Sequence, residues 1–157
     1  MPAGVTQTEA MNYHIRPISA AETRPLRQQI LRPHQTIAEL VYPGDDHPLA
    51  LHLGAFITET LTGIASFAPE ACPDVPAQAA WRLRGMGVLP TVQQKGIGTA
   101  LLDAGIHYVK QQRGDLVWCH GRSSALPFYR RYGFVTHGDE FVVPHTGPHY
   151  VLLYWIR

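Results

Sequence analysis

VLPTVQQKGIGTALL, residues Val88 to Leu102, joins the end of an apolar strand to the start of an amphipathic helix through a glycine-rich turn. Pro90 interrupts the strand. The first backbone N–H groups of the helix that follows have no intrahelical acceptor, and the helix dipole adds positive potential at that end. Gly96 and Gly98 allow close backbone approach and turn conformations closed to other residues. Together these features predict an anion site, most naturally for phosphate, over Gln93 to Thr99. Two other phosphate loops do not fit. A Walker A loop needs Ser or Thr directly after Gly-Lys, and here the order is Lys95-Gly96-Ile97. A dinucleotide loop needs a third glycine where Leu101 stands.

Outward from the loop, Ile97, Leu101, Ala104 and Tyr108 form one stripe, which predicts a helix over 97–113 stopped by Gly114. Upstream, Trp81 to Leu89 alternates and then turns apolar, as a strand does. Leu49 to Ile57 and Leu61 to Phe67 read as an antiparallel hairpin, and Tyr13 to Ile18 as a first strand. Ser19 is expected to cap a helix carrying Leu26, Ile30 and Leu31 inward and ending before Pro33. A second short helical piece is expected to hold Ile37, Leu40 and Val41. The turn-dense stretch 42–48 and the proline-rich stretch 69–80 read as loops. Downstream, Leu116 to Cys119 is a buried strand. Ser123 or Ser124 is expected to cap a helix through Tyr132, ended by Gly133. Phe134 to Thr136, Glu140 to Val143 and Tyr150 to Ile156 are the final strands. This order predicts a mixed sheet with helices on its faces, in one domain over 12–157 preceded by a loose tail over 1–11.

Gln93-x-x-Gly96-x-Gly98 resembles the pyrophosphate motif of the GNAT acetyltransferases. A second signature lies downstream: Ala125, the Phe128-Tyr129 pair, then Gly133-Phe134 four residues after the tyrosine. Both fall on the right elements, with one strand between them. The match is good over 83–134 and weaker over the rest. The resemblance implies an α/β (α+β) fold: a mixed, mostly antiparallel sheet of six to seven strands, helices on both faces, and a splay between two parallel strands. It implies acetyl-CoA as cosubstrate; the nine histidines are scattered along the chain, so no metal is expected. Gln93, Gln94, Lys95, Gly96, Ile97, Gly98 and Thr99 would hold the pyrophosphate. Met86, Gly87 and Val88 would offer the strand edge to the pantetheine arm. Arg122, Ala125 and Phe128 would complete the cofactor contact. Many relatives have Asn where Arg122 stands, so Arg122 would meet a phosphate or a substrate acid instead, or cap the sheet edge.

Attack of an amine on a thioester needs a neutral amine, a polarised carbonyl and a proton for the leaving thiolate. Tyr129 matches the position that protonates the thiolate in many members. For the general base, His149 and His120 lead, with Asp139, Glu140, Glu70 and a water chain as alternatives. Arg84 and His52 are expected to line the acceptor groove. Cys119, on a buried apolar strand, reads as core rather than nucleophile, and Cys72 has no base beside it. The resemblance thus implies direct acetyl transfer to a small-molecule or peptide amine. The competing reading is an acyl-CoA-binding or sensor module without turnover.

Bulk composition agrees with a globular chain: 45% hydrophobic and 16% charged residues do not suit disorder. A net charge of +1 offers no general grip on nucleic acid. Two cysteines cannot build a disulfide framework. The N-terminal MPAGVTQTEA predicts no signal peptide, and no apolar run reaches the length of a membrane span, so a cytoplasmic setting is expected. The apolar last strand, YVLLYWI, would suit a homodimer.

Overall fold

The computed structural model describes residues 12–157; the tail expected over 1–11 lies outside them. In chain order the elements are β1 (His14–Ile18), α1 (Ala20–Leu26), a π turn (Arg27–Leu31), β2 (Leu51–Ile57), β3 (Thr60–Pro69) and β4 (Ala80–Val88). Then come α2 (Ile97–Gln111), β5 (Leu116–Arg122), α3 (Leu126–Tyr132), β6 (Val135–Val143) and β7 (Gly147–Trp155). The strands form one seven-stranded sheet in the order β1-β2-β3-β4-β5-β7-β6. Every neighbouring pair is antiparallel except β4 and β5. Among the described residues, no helix is long and apolar enough to cross a membrane.

Strand alternation sorts the two faces. Phe67, Trp81 and Leu83 point to one side, where they pack with Leu101, Leu102 and Val109 of α2 in the main core. Ser66 points to the other side, where its hydroxyl accepts from Arg27 of the π turn at 3.0 Å. Ser19 caps α1 as expected, in a reciprocal capping box with Glu22. Pro25 sits inside α1 and lacks the N–H of a regular helix. The next turn is wide, closed by Arg32 N–H donating to Arg27 C=O at 2.9 Å.

Arg27 falls on the inward stripe of Thr23, Leu26 and Ile30, and it is fully buried. Its guanidinium donates to both carboxylate oxygens of Asp45, at 2.7 and 2.9 Å, and to the Leu40 carbonyl at 2.9 Å. It also stacks on Tyr42, 4.0 Å from the ring centroid. Burial acts to raise the Asp45 carboxyl, but hydrogen bonds from Arg27 and the Tyr42 N–H outweigh it and hold the group below its usual value. Removing one partner of a buried pair leaves an uncompensated charge, so Asp45→Asn is expected to lower the unfolding free energy by about 3–5 kcal/mol in urea melts. The contribution of Asp45 is fully present above the unfolded carboxyl value of about 4. It is lost as pH falls through the lower folded value. A loss under about 1 kcal/mol in Asp45→Asn would mean the pair is dispensable.

Several local expectations change. Neither Ser123 nor Ser124 caps a helix. Residues Ser123–Ala125 form a 3-10 turn, α3 starts beyond it with Pro127 in its first turn, and Ser123 Oγ donates to Glu140 at 2.7 Å. The two strands expected around 134–143 are one strand, β6, irregular between His137 and Phe141, where Gly138 has φ +78°. In the short piece at 37–41, only Leu40 is buried, whereas Ile37 and Val41 are exposed. The apolar last strand is not a sheet edge. It lies between β5 and β6, and Leu152 and Leu153 are buried there, which accounts for its composition without a second copy.

Candidate active site

The parallel pair β4 and β5 is joined only from Ala80–Leu116 to Arg82–Trp118. Beyond that point the strands diverge. β4 continues on β3, pairing Ile64 with Gly87 and Gly63 with Val88. β5 continues on β7, pairing His120 with Val151 and Arg122 with His149. The facing edges of Leu83–Val88 and Cys119–Arg122 are left unpaired with each other, which is the expected splay.

A bulge shapes its wall. Register between β3 and β4 shifts after Arg84, and Gly85 has φ +59°. A side chain at Gly85 would meet Tyr42 and Arg27 at about 3 Å, so the buried Arg27 network packs directly under the bulge. The extra residue resets the alternation. Arg84 points to the π-turn face, while Met86 turns to the α2 face, where its methyl lies near Gly98 and its sulfur lies 3.9 Å from Tyr129 Oη. Sequence reading missed this feature, although glycines flanking Met86 within a strand are its usual signal.

At one end of the splay stands the glycine loop. Gly96 is left-handed, with φ 84°, as is Gln94, with φ 64°. The first bond of α2 runs from Ala100 N–H to Gly96 C=O at 3.0 Å, so the amides of Ile97, Gly98 and Thr99 precede the helical ladder. A Cβ at Gly98 would come within 3.1 Å of Phe128. Gln93 Nε2 donates to the Val88 carbonyl at 3.0 Å and ties the loop to the end of β4. Half-buried Lys95 adds positive charge to the same turn. An open left-handed turn, free amides, a cradle that a Cβ would fill and an unpaired strand edge all suit a pyrophosphate followed by an extended arm.

Between the diverging strands, at the other end of the splay, lies a cavity of about 230 Å³, lined among others by Arg84, Met86, His120, Arg122, Tyr129 and His149. Ala125 lines it as well. His52 does not. It is buried beside the Arg27 network, with Nδ1 2.7 Å from Ser66 Oγ and Nε2 2.9 Å from the Asp45 carbonyl, so both ring nitrogens are engaged. Arg84 donates to Glu70 at 3.3 Å, and Arg82 donates to the other Glu70 oxygen at 3.0 Å. Arg122 donates to the Leu31 carbonyl at 2.6 Å, which turns it toward the π turn rather than the glycine loop.

The two histidines differ in what their lone pairs meet. His149 Nδ1 lies 2.8 Å from the Gly147 carbonyl, which can only accept, so Nδ1 carries the proton and neutral Nε2 is left as an acceptor. Burial holds the His149 imidazole below its ordinary value, the Gly147 bond works against this, and Arg122 and Arg32 add to it. His120 Nδ1 instead faces Arg82 Nη2 at 3.3 Å, and a guanidinium only donates, so this lone pair is occupied. The His120 ring packs on Trp118 and Phe141. The residue keeps an exposed side, but partial desolvation against these rings, with Arg82 next in effect, pushes it down to about 4. Tyr129 is buried, and burial raises its phenol well above the usual value, with Cys119 adding to the effect. The Cys119 thiol is likewise pushed up to about 12 by burial, so it stays protonated.

The sequence model of the Acetyltransferase (GNAT) family matches residues 14–134, most of the chain. This chain belongs to the GNAT family. A Bacillus subtilis (strain 168) protein, named uncharacterized N-acetyltransferase YitI, is 34% identical over 143 residues, covering 91% of this chain and 96% of that protein. The GNAT chain is thus an acetyltransferase. Solved structures with the same fold include Arabidopsis thaliana NAA60 in complex with a bisubstrate analogue, with TM-score 0.73 at 15% identity over 92% of this chain and 98% of that one. The NatC complex bound to Gag peptide and CoA matches with TM-score 0.71 at 15% identity, over 92% of this chain and 99% of that one. At such identities these two show a shared fold only.

Proposed function

We propose that this GNAT chain transfers the acetyl group of acetyl-CoA to a primary amine by direct attack within a ternary complex. The observation that carries the reading is the splay, with a free helix N-terminal turn at one end and a cavity holding Tyr129 and His149 at the other. When bound, acetyl-CoA supplies the activated acyl group as a thioester. The amides of Ile97, Gly98 and Thr99, with Gln93, Gln94, Lys95 and Gly96, hold the pyrophosphate. The open edge at Met86, Gly87 and Val88 receives the arm, and Phe128 closes over Gly98. His149 Nε2 takes the proton from the acceptor amine. Tyr129 Oη returns a proton to the leaving sulfur. Cys119 takes no covalent part, because its buried thiol stays neutral.

Two measurements test this. Acetyl-CoA at ~100 times its dissociation constant is expected to add about 2.7 kcal/mol of stability. For a domain of this size that raises Tm by roughly 5–10 °C. Gly98→Trp, whose side chain would collide with Phe128 and fill the cradle, is expected to abolish the shift while keeping the unliganded transition. A full shift in Gly98→Trp would remove the pyrophosphate assignment. Release of free thiol with a panel of primary amines then tests transfer. A normal shift without thiol release from any amine would make the chain a binding module instead.

A further inference from the structure

Arginines carry the charge of the cavity wall: Arg32, Arg82, Arg84 and Arg122 line it, and among the described residues no Asp or Glu does. Glu70, just outside, serves both Arg82 and Arg84. Among the described residues, neither Arg32 nor Arg122 has a carboxylate partner. Arg122 commits one terminal nitrogen to the Leu31 carbonyl, out of five N–H donors. Both arginines are half-buried, and both act electrostatically on His149.

We propose that the acceptor is a small amino carboxylate, an α-amino acid or a close analogue, whose carboxylate is held between Arg32 and Arg122 beside His149. The inference rests on the preceding reading of this cavity as the acceptor site. Like charges gathered in a partly desolvated cleft repel one another, and an anion relieves that repulsion. Acetyl-CoA does not provide the anion here. Its phosphates belong at the glycine loop, and the pantetheine arm and acetyl group that reach the cavity are uncharged. The neutralising charge therefore comes with the acceptor. Guanidinium groups fit a carboxylate in a paired, planar geometry. The same positive field disfavours a charged ammonium, so it holds the acceptor amine nearer its reactive neutral form. A diamine or polyamine would bring a second cation into this field and is disfavoured. A cavity of about 230 Å³ suits a molecule of amino-acid size.

The test compares each amino acid with its carboxamide and its decarboxylated amine in the thiol-release assay. The amino acid is expected to have a kcat/KM higher by roughly 10- to 100-fold, the usual value of hydrogen bonds to a charged group. Arg32→Gln and Arg122→Gln are each expected to remove most of that preference by raising KM for the amino acid alone. Lys110→Gln, on the exposed end of α2, serves as the control and keeps the preference. A readout independent of turnover is calorimetric binding of N-acetyl amino acids to the CoA-loaded protein. It should weaken in both arginine variants while their CoA-dependent Tm shift is retained, which also shows that they fold. Equal or better use of the decarboxylated amines overturns the proposal but leaves the acetyltransferase intact. So does a preference that survives both arginine variants. Absence of the CoA shift in the unaltered protein overturns both readings.

Discussion

Tyr129→Phe is expected to lower turnover by roughly 10²- to 10⁴-fold, the usual contribution of a positioned acid, with little change in CoA affinity. The ring is packed edge-on against Phe128 and Phe134, with centroids 5.3 and 5.2 Å apart, and phenylalanine keeps those contacts. The hydroxyl meets two sulfurs, Met86 at 3.9 Å and the Cys119 thiol, both weak partners, so its loss leaves little unsatisfied. Stability should therefore change by less than about 1 kcal/mol. A phenol held well above its ordinary value looks a poor donor at first sight. Burial raises it because the phenolate is poorly solvated, however, and a thiolate formed in the same apolar splay is raised for the same reason. Moving the proton from one to the other keeps a single negative charge in one place, so the two penalties largely cancel. Steady-state thiol release, with the CoA-induced Tm shift measured in parallel, checks the expectation. Unchanged turnover would leave Tyr129 as packing alone.

What could be read from the sequence was local, or fixed by short register. Gln93 to Thr99 lie within one turn, so the left-handed Gly96 and the free helix start follow from residue type alone. Tyr129 is legible as a candidate because Gly133-Phe134 sets its position on a single short helix. The bulge under the site was harder. Gly85 signals it, but its support comes from Arg27, Tyr42 and Asp45, distant in sequence and joined only by the fold. Arg27 does fall on the inward stripe of its helix, yet an arginine at a core position shows its meaning only when the matching carboxylate is seen. For His52 the obstacle is related: strand alternation gives a face, not the Ser66 and Asp45 oxygens that occupy both its nitrogens. Even the choice between His120 and His149 turned on the neighbour of one ring nitrogen in each.

That choice yields the second large effect: His149→Gln is expected to cost roughly 10²- to 10⁴-fold in rate and to erase the acidic limb of the pH–rate profile. The imidazole is buried at 6% exposure, lies against Phe141 with ring centroids 5.9 Å apart, and donates from Nδ1 to Gly147. Only the neutral ring offers Nε2 as an acceptor, so activity falls as pH drops through the His149 value. Burial, with Arg122 and Arg32 assisting, holds that value below the ordinary 6.5 despite the Gly147 bond. The limb should therefore lie below pH 6.5, with a plateau through neutrality. Glutamine keeps a polar group at the site but does not titrate, so both the rate and the limb should go. His120→Gln is the matched comparison. Its Nδ1 is occupied by Arg82, and its value near 4 puts its own titration at the far acidic edge, so the limb should survive that change. Loss of the limb in His120→Gln with retention in His149→Gln would reverse the assignment. A limb unchanged in both would pass the base role to water or to an acidic side chain.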